Sequence, residues 1–400
     1  MKKKKNKNKS IGSFLREAVE KRLNVIEDLA FLVENRKMID SITTGNTVTA
    51  ADIMNKLKEV LFLPGLTGEQ SKAVRQYYYP YKVSTFTHRE MLAATGEFHP
   101  EIITEELYFG YVDPYLNSRA QAVGLENKCL FVKLFPGIRQ PKTAALRMNG
   151  IWLSSEWEPI THDELIAELN RHSEVIIKEA YDSCGGHGVY RIIPEKPGET
   201  VGEAAERKLA GISGDVIIQQ AVRQHEALAR LNPTSVNCFR IITLLTAEGV
   251  KVLSAAQKIG AKGAFADNLK SGGYFCGIDS SGKLMPRAYH VNSTEYILKD
   301  PETGLVFGGY QIPSFERAVE MVRRAHPMLP CFQLISWDVT IDEDGEPVLI
   351  EPNLTNGSLV MHQQTHGPLF GKDTKKIVRE ALKGTNYPMY KITKPTRKRK

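Results

Sequence analysis

The stretch WDVTIDEDGEPVLIEPN, residues 337–353, has a run of apolar and β-branched residues on each side of an acidic turn at Asp342–Gly345. This pattern predicts an antiparallel β-hairpin. Because successive residues of a strand point to opposite faces, Glu351 and Asn353 lie on the same side of the second strand. Asp338, near the start of the first strand, faces residues near 351 across the hairpin. Three side chains that carry oxygen ligands therefore converge on one face.

Oxygen ligands of this kind are the ones that Mg²⁺ prefers, with water and phosphate completing its coordination. The alternative is a solvated edge strand that carries ordinary surface charges. Against that alternative, the neighbouring residues predict a buried sheet, in which unpaired carboxylates are costly; these residues are Ile335, Trp337, Val348, Leu349 and Ile350. The hairpin therefore predicts a site for one or two magnesium ions, which Mn²⁺ could also occupy.

A second stretch, EVIIKEAYDSCGGHGVYRI at residues 174–192, is a β-run that ends in Lys178, a polar turn with three glycines, and another β-run. Glycines allow backbone N–H groups to approach a polyphosphate closely, and a lysine at a strand end places a cation beside it. The stretch lacks the G-K-[ST] of a Walker loop, and the β-run after the glycines argues against a dinucleotide-binding fingerprint. Taken alone, it fits a phosphate-binding loop or a plain hairpin turn.

A third region combines SVNCFRIITLL, residues 235–245, with VLSAAQKIGAKGAFADNLKSGG, residues 252–273. Arg240 and Lys258 lie in adjacent strand-like runs, and Asn268 precedes a pair of glycines. Cations beside a magnesium site would neutralise the charge that develops during phosphoryl transfer. Taken singly, each of these residues could equally be a solvated surface residue.

The order of these parts resembles the ATP-grasp superfamily: a lysine, a second lysine with a glycine-rich loop, the run IIQQAV, an arginine strand, N-L-x-x-G-G, and an aspartate followed by E-x-N. The resemblance covers roughly residues 101–371. It is close to the alpha-L-glutamate ligase branch, and closer to the sugar-transfer-associated ATP-grasp proteins of bacterial surface-polysaccharide gene clusters. FADNLKSGG and the hairpin at 338–353 are its most specific parts.

The resemblance implies a role for each matching residue. Lys128 and Lys178 would bind the ATP phosphates, under a flexible loop that contains Gly185, Gly186 and Gly188. The other positions would be an adenine-binding hinge at Gln219, Gln220, Ala221 and Val222, groups near the γ phosphate at Arg240, Lys258 and Asn268, and magnesium ligands at Asp338, Glu351 and Asn353. The turn after the last ligand, residues 355–357, replaces the Pro-Gly turn usual in the family and faces the substrate.

The implied fold is α+β, with two α+β lobes that clasp ATP and an α-helical N-terminal region in place of the usual Rossmann-like first domain. The expected divisions are a disordered basic tail at 1–9, the helical region at 10–117, the small lobe with its lead-in at 118–215, the large lobe with the metal site at 216–385, and a disordered basic tail at 386–400. Apolar residues at helical spacing after Ser10, and again at 49–62, favour the helical region.

The implied activity is ATP-dependent ligation of a carboxylate to an amine through an acyl phosphate, with ATP and Mg²⁺ as cofactors. The substrates would be a small-molecule or sugar-linked carboxylate, such as a sugar acid or an amino acid, and an amine, in cell-surface polysaccharide biosynthesis. The alternative is a non-catalytic partner that binds nucleotide and stabilises a glycosyltransfer assembly. A scaffold has no need of Asp338, Glu351 and Asn353 together, which favours the enzyme.

Positive charge is concentrated at the two ends of the chain. The net charge is +7, but residues 1–9 and 391–400 each carry six Lys or Arg and no acid, which leaves −5 for the remainder. A mildly acidic body argues against specific nucleic-acid binding, and the tails favour either plain solvation or weak contact with an anionic membrane or another polyanion. Because no apolar run reaches about 18 residues, we expect a cytoplasmic protein, free or peripheral at the inner membrane face. A homo-oligomer is compatible with the sequence.

Five cysteines occur singly, which predicts reduced thiols and argues against a disulfide framework or a zinc site. His362 and His366, four residues apart in HQQTH, could bind a metal if this segment is helical. With no third ligand evident, a polar helix face or a role in a substrate pocket is favoured.

Overall fold

The computed structural model describes residues 22, 25, 26, 28, 63–181, 188–269, 272–291, 293–355 and 357–384. Most of the predicted N-terminal helix, the 49–62 stretch, both basic tails and the loop at 182–187 lie outside the described residues. The chain divides into two compact units: a terminal unit formed by residues 1–115 and 366–400, and a central unit formed by residues 116–365.

The α-helices of the described residues are α1 (Gly68–Tyr78), α2 (Phe86–Thr95), α3 (Glu105–Leu107), α4 (Asp113–Leu116), α5 (Arg119–Leu125), α6 (Phe131–Leu134), α7 (His162–Leu169), α8 (Val201–Leu209), α9 (Glu226–Ala229), α10 (Phe315–Ala325), α11 (Leu359–His366) and α12 (Thr374–Gly384). A π-helical turn spans Tyr108–Val112, and 3₁₀ turns span His326–Met328 and Gly371–Asp373. The strands are β1 (Thr143–Met148), β2 (Ile151–Leu153), β3 (Val175–Glu179), β4 (Val189–Ile192), β5 (Val216–Gln220), β6 (Phe239–Thr246), β7 (Gly249–Ile259), β8 (Tyr274–Ile278), β9 (Leu284–His290), β10 (Tyr296–Ile297), β11 (Leu334–Ile341) and β12 (Pro347–Asn353).

The described part of the terminal unit is helical. At the start of α1, the Thr67 hydroxyl accepts from the Gln70 N–H at 3.2 Å, and the Gln70 side chain accepts from the Thr67 N–H at 2.9 Å. This reciprocal capping satisfies two N–H groups that the first turn leaves without helical partners. In the interior, the buried Arg89 guanidinium donates to Asp28 at 2.9 Å and to the Leu63 carbonyl at 2.8 Å. The buried charge is therefore paired and hydrogen-bonded.

The smaller sheet of the central unit has five antiparallel strands in the order β2-β1-β5-β3-β4. Apolar residues of α7 and α8 form one core with the buried side chains of this sheet. Strands β3 and β4 form the hairpin predicted around residues 174–192, with Lys178 opposite Val189. Because Val216 and Ile218 of β5 are buried in the same core, the small lobe continues past the 215/216 division expected from the sequence.

The larger sheet has seven antiparallel strands in the order β10-β9-β8-β7-β6-β11-β12. The predicted hairpin is β11–β12, at one edge of this sheet. Helix α10 packs on the sheet through Phe315, Ala318, Met321, Val322 and Ala325, which recur at helical spacing. Both sheets belong to the central unit. Their strands and loops carry the residues that the sequence predicts to bind phosphate and metal.

Two further expectations concern the described residues as a whole. None of their helices has both the length and the apolarity that crossing a membrane requires. The four cysteines among them, Cys129, Cys238, Cys276 and Cys331, are free thiols, as predicted. Cys184 lies outside the described residues.

Candidate functional site

Three strands of the larger sheet bring charged side chains into one row. Arg240 on β6 lies directly opposite Asp338 on β11, and Asp338 lies directly opposite Glu351 on β12. Residues opposite each other on antiparallel strands share a face, with Cβ atoms about 5 Å apart. Asn353, opposite Ser336, is on the same face. The shared face predicted from the hairpin is confirmed, while the roles of its residues stay predictions.

Asp338 is buried between two cations. Its Oδ1 accepts from Arg240 Nε at 2.7 Å, and its Oδ2 accepts from Arg240 Nη2 at 2.7 Å and from Lys258 Nζ at 3.1 Å. Burial alone would raise the pKa of Asp338, but the charges of Arg240 and Lys258 outweigh burial and hold that pKa below its usual range. Asp338 therefore carries its negative charge in the folded protein.

Besides its two hydrogen bonds to Asp338, Arg240 makes a third hydrogen bond. Its Nη1 donates to the Ser358 hydroxyl at 2.5 Å, just after the turn at 355–357. Burial tends to lower the pKa of Arg240 and of Lys258, and the neighbouring carboxylates raise both above their ordinary values. Both side chains are therefore fixed, charged groups, which is the form needed to neutralise phosphate oxygens.

Asp267 belongs to this cluster and was missed by the sequence reasoning. It accepts from the Cys238 N–H at 2.8 Å and lies 3.3 Å from Lys258 Nζ. Burial raises the pKa of Asp267, and the Lys258 charge opposes that rise. A usable signal was present in the sequence, since this carboxylate directly precedes Asn268 within FADNLKSGG.

Two lysines of the smaller-sheet region approach the same row. The Lys128 backbone N–H donates to the Ala180 carbonyl at 3.1 Å, just past the end of β3, and its Nζ lies 3.5 Å from Glu351 Oε2. Burial lowers the pKa of Lys178, the Glu351 charge opposes the change, and Lys128 adds to it. Lys128, Lys178 and Glu351 therefore lie within electrostatic range of one another.

Glu126 and Thr355 form a second contact that the sequence reasoning missed. The Thr355 hydroxyl donates to Glu126 Oε1 at 3.0 Å. Burial raises the pKa of Glu126, while the Thr355 hydrogen bond and Lys128 lower it. The contact joins the turn after the predicted metal ligands to the segment that carries Lys128, so this unusual turn is tied to the site.

The donors on this face fit a hard divalent cation. Glu351 supplies a carboxylate and Asn353 an amide oxygen, and Mg²⁺ commonly takes one or two such ligands and leaves the rest to water and phosphate. Asp338 already accepts three hydrogen bonds from Arg240 and Lys258, one at Oδ1 and two at Oδ2, which leaves about one acceptor site, on Oδ1, for a metal. Within the residues that the structure describes, no three His, Cys, Asp or Glu side chains surround a common point, so a three-ligand set here includes the Asn353 amide.

The predicted hinge spans the end of β5: Gln219 and Gln220 are the last two residues of the strand, and Ala221 and Val222 follow it. Gln219 is buried, and its Nε2 donates to the Pro141 carbonyl at 3.4 Å. Its Oε1 is buried and has no hydrogen-bond partner in the described part of the chain, so it could accept a bond from a ligand amino group. Gln220 N–H donates to the Lys142 carbonyl at 2.8 Å, and Ala221 and Val222 are half-buried.

The structure describes only Gly188 of the first glycine-rich segment, but both glycines, Gly272 and Gly273, of the second. Gly188 has a φ of +68° and its carbonyl accepts from the Glu179 N–H at 2.8 Å, whereas Gly185 and Gly186 lie outside the described residues. In the second segment, a Cβ added to Gly273 would lie 2.6 Å from the Ile259 carbonyl oxygen and 2.9 Å from the Asn268 carbonyl oxygen. Gly273 therefore packs between the end of β7 and the Asn268 backbone, where only glycine fits.

The His362/His366 segment is helical, as α11. His362 is buried, and its Nδ1 lies 2.6 Å from the Ser254 hydroxyl on β7. The ring thus joins α11 to the larger sheet, whereas the sequence favoured a polar helix face or a role in a substrate pocket.

The family profile of sugar-transfer associated ATP-grasp proteins matches residues 111–378. No curated protein matches the chain significantly. Among solved structures, the chain is similar to an L-amino acid ligase from Bacillus licheniformis, with 18% identity, coverage of 64% of this chain and 48% of that chain, and a TM-score of 0.36. A D-alanine–D-alanine ligase from Bacillus anthracis, complexed with ATP, gives 13% identity, 65% and 68% coverage, and a TM-score of 0.36.

The chain thus spans about half the length of the L-amino acid ligase. The family match is the stronger finding, because it covers about two thirds of the chain and includes every position proposed for phosphate or metal binding. This chain belongs to the sugar-transfer associated ATP-grasp family.

Proposed function

We propose that this protein is an ATP-dependent ligase that joins a carboxylate to an amine. The observation that carries the proposal is the arrangement of four cations, Lys128, Lys178, Arg240 and Lys258, around the row that ends in Glu351. A polyphosphate is a ligand whose charge matches such a cluster. The family membership supports the same reading.

The reaction follows from what such a site can do. A carboxylate is a poor electrophile at neutral pH, so one of its oxygens first attacks the γ phosphorus of ATP, and ADP leaves. The amine nitrogen then attacks the acyl carbon of the acyl phosphate, phosphate leaves, and the nitrogen loses a proton. The protein contributes positioning and charge neutralisation, with no covalent enzyme intermediate. Exclusion of water protects the acyl phosphate from hydrolysis.

The residues divide this work. Lys128 and Lys178 bind phosphate oxygens, and Arg240 and Lys258 neutralise the transferred phosphoryl group. Glu351 and Asn353 hold Mg²⁺, which when bound supplies charge stabilisation to the phosphates. Asp338 and Asp267 keep Arg240 and Lys258 in place. The hinge at Gln219, Gln220, Ala221 and Val222 holds adenine.

For the substrate, the proposal names a chemical class. A sugar acid or amino acid used in cell-surface polysaccharide biosynthesis fits the sugar-transfer association in the family's name. The Glu126–Thr355 contact and the Arg240–Ser358 bond join the unusual turn at 355–357 to the site. We therefore expect that turn to take part in selecting the acceptor.

The proposal is tested by ADP release from ATP and Mg²⁺ in a panel of carboxylate and amine pairs. We expect sustained release with a productive pair, and, when the carboxylate is supplied without its amine, release once hydroxylamine is added to trap the acyl phosphate. If ATP binds but no pair yields ADP, the nucleotide-binding scaffold becomes the better description.

Glu351→Gln provides the first prediction. The substitution keeps the shape of the side chain and removes a negative charge beside the predicted metal position, so turnover should fall about 100-fold or more with the fold unchanged. Glu248→Gln, at a side chain 80% exposed in the β6–β7 turn, is the matched control and should leave ADP release unchanged. Near-normal release by Glu351→Gln would make the hairpin structural only.

A further inference from the structure

Helix α12 separates buried apolar residues from exposed cations. Thr374, Ile377, Val378 and Ala381 are buried in the terminal unit. The exposed basic residues of α12 and of the turn before it are Lys372, Lys375, Lys376, Arg379 and Lys383. The acidic residues of this segment are Asp373 and Glu380. The apolar side of the helix is therefore already used for packing, and four cations on its outer side, with Lys372 in the turn before it, face solvent.

Helix α1 extends this surface. Lys375 Nζ lies 5.2 Å from the centre of the Tyr77 ring, so the start of α12 contacts the end of α1. Lys72 and Arg75 are exposed one turn apart on α1, and Tyr79, at its C-cap, is 68% exposed. We call these seven cations the basic face: Lys72, Arg75, Lys372, Lys375, Lys376, Arg379 and Lys383. Glu69 is the acidic residue of α1.

The charge of the whole terminal unit has the same sign. Its segments contain 28 Lys and Arg against 17 Asp and Glu, a net charge of +11, whereas the central unit has 25 against 29, a net charge of −4. Six of the last ten residues of the chain, which follow α12, are also basic. The basic face therefore belongs to a unit whose sequence carries an excess of positive charge.

We propose that the basic face docks on an anionic lipid membrane. Clusters of four to eight Lys or Arg on an amphipathic helix are typical of binding to acidic headgroups. The contact is electrostatic, because the apolar side of α12 is buried in the protein, and the exposed Tyr79 ring suits the headgroup region. Five of the seven cations are lysines, which attract as point charges; nucleic-acid recognition favours the planar arginine fork.

The test uses full-length protein and co-sedimentation with two kinds of vesicle. One contains phosphatidylcholine alone, and in the other about one third of the lipid is phosphatidylglycerol. We expect binding to the anionic vesicles only, with affinity that falls as the salt concentration rises. Equal binding to both vesicles, or binding insensitive to salt, would overturn the proposal.

The triple variant Lys376→Gln, Arg379→Gln and Lys383→Gln tests the face itself. Glutamine is nearly as good a helix former as lysine and arginine, so α12 should be retained. Each cation near an anionic surface contributes about a fivefold factor, so vesicle affinity should fall about 100-fold. The control Lys196→Gln, Lys251→Gln and Lys283→Gln removes three exposed lysines of the central unit, changes the net charge equally, and should retain wild-type affinity within about twofold.

The same experiment distinguishes membrane docking by the basic face from docking by the C-terminal tail and from nucleic-acid binding. If the triple variant binds vesicles like the wild type, and deletion of residues 391–400 alone abolishes binding, the tail docks and the face does not. If the triple variant loses affinity for a DNA duplex but keeps its vesicle affinity, the face binds nucleic acid. Either outcome overturns the proposal. Circular dichroism checks folding; if the triple variant unfolds, Lys376→Gln with Lys383→Gln gives the same test, with an expected loss of about 30-fold.

Discussion

Asp338 is buried between Arg240 and Lys258, and both of its carboxylate oxygens accept hydrogen bonds from these cations. Removing one partner of a buried ion pair costs more than the pair contributes, because the other charge stays buried without compensation. Asp338 therefore holds two cations at the site whether or not it also contacts a metal. Asp267 does the same for Lys258 from the other side.

The second prediction concerns a single residue, Lys178. Lys178→Ala removes a cation from the cluster that we propose binds the ATP phosphates, so ATP affinity should fall about 10- to 100-fold, equivalent to about 1.5 to 3 kcal/mol for a bond to a charged group. Lys196→Ala, at an exposed position beyond β4, is the control. Nucleotide titration by calorimetry measures both. Unchanged affinity for Lys178→Ala would remove this lysine from the site.

At the scale of elements, a single extra residue in β12 orients the hairpin side chains. Val339 pairs with Leu349, but Asp338 pairs with Glu351, so Ile350 is inserted as a bulge. Without the bulge, Asp338 would lie opposite Ile350, and Glu351 would point to the other face of the sheet. The charged row across β6, β11 and β12 therefore depends on this irregularity.

Gly273 provides the third prediction. Gly273→Ala would place a Cβ against the Ile259 and Asn268 carbonyl oxygens, which are backbone atoms that cannot move cheaply. We expect a loss of about 1 to 3 kcal/mol in the free energy of unfolding. Gly124→Ala, in α5 with nothing within 4 Å of the new Cβ, is the control and should be neutral or slightly stabilising. Chemical denaturation compares the two; equal stabilities would show that the β7 end tolerates a side chain.

At the scale of the whole molecule, a buried histidine links stability to pH. Trp337 Nε1 donates to the Thr243 hydroxyl at 2.7 Å, that hydroxyl lies 2.6 Å from His326 Nδ1, and His326 Nε2 lies 3.0 Å from the Phe332 carbonyl. Because a carbonyl only accepts, Nε2 carries the proton and Nδ1 accepts from Thr243. Burial lowers the pKa of His326 to about 4, although the Phe332 hydrogen bond opposes the change.

The sign of the effect follows from proton binding. At pH values between 6.5, the ordinary pKa of histidine, and about 4, His326 binds a proton in the unfolded chain but stays neutral in the folded protein. The contribution of this residue is therefore complete above about pH 6.5 and is lost as the pH falls towards 4, by about 3 kcal/mol in total. We expect the free energy of unfolding to fall less steeply between about pH 7 and pH 5 in His326→Phe than in the wild type.

The measurement is urea denaturation at several pH values, followed by the fluorescence of the three tryptophans, one of which, Trp337, has its ring centre 5.9 Å from that of His326. His362→Phe, at a histidine buried in the same unit, shows whether removal of any buried histidine has the same effect. Identical pH slopes for wild type and His326→Phe would contradict the assignment.

The sequence by itself determined the family, the order of the phosphate and metal motifs, and the hairpin at 338–353. These features are local: alternation along a strand, a turn between two apolar runs and a glycine pair are all contained within a few residues. For the same reason, α10 and the β3–β4 pair were predictable. The small-lobe boundary was not, because the membership of β5 depends on which core buries its side chains.

Only the tertiary structure decided which groups neutralise one another. Arg240 and Asp338 are 98 residues apart, and Lys128 and Glu351 are separated still further. Asp267 and Glu126 became visible as site residues only through such contacts. Strand order, register and the bulge at Ile350 result from the packing of whole sheets, which no local pattern encodes. The sequence therefore named the chemical groups of the site, and the pairing of the sheets determined which of them meet.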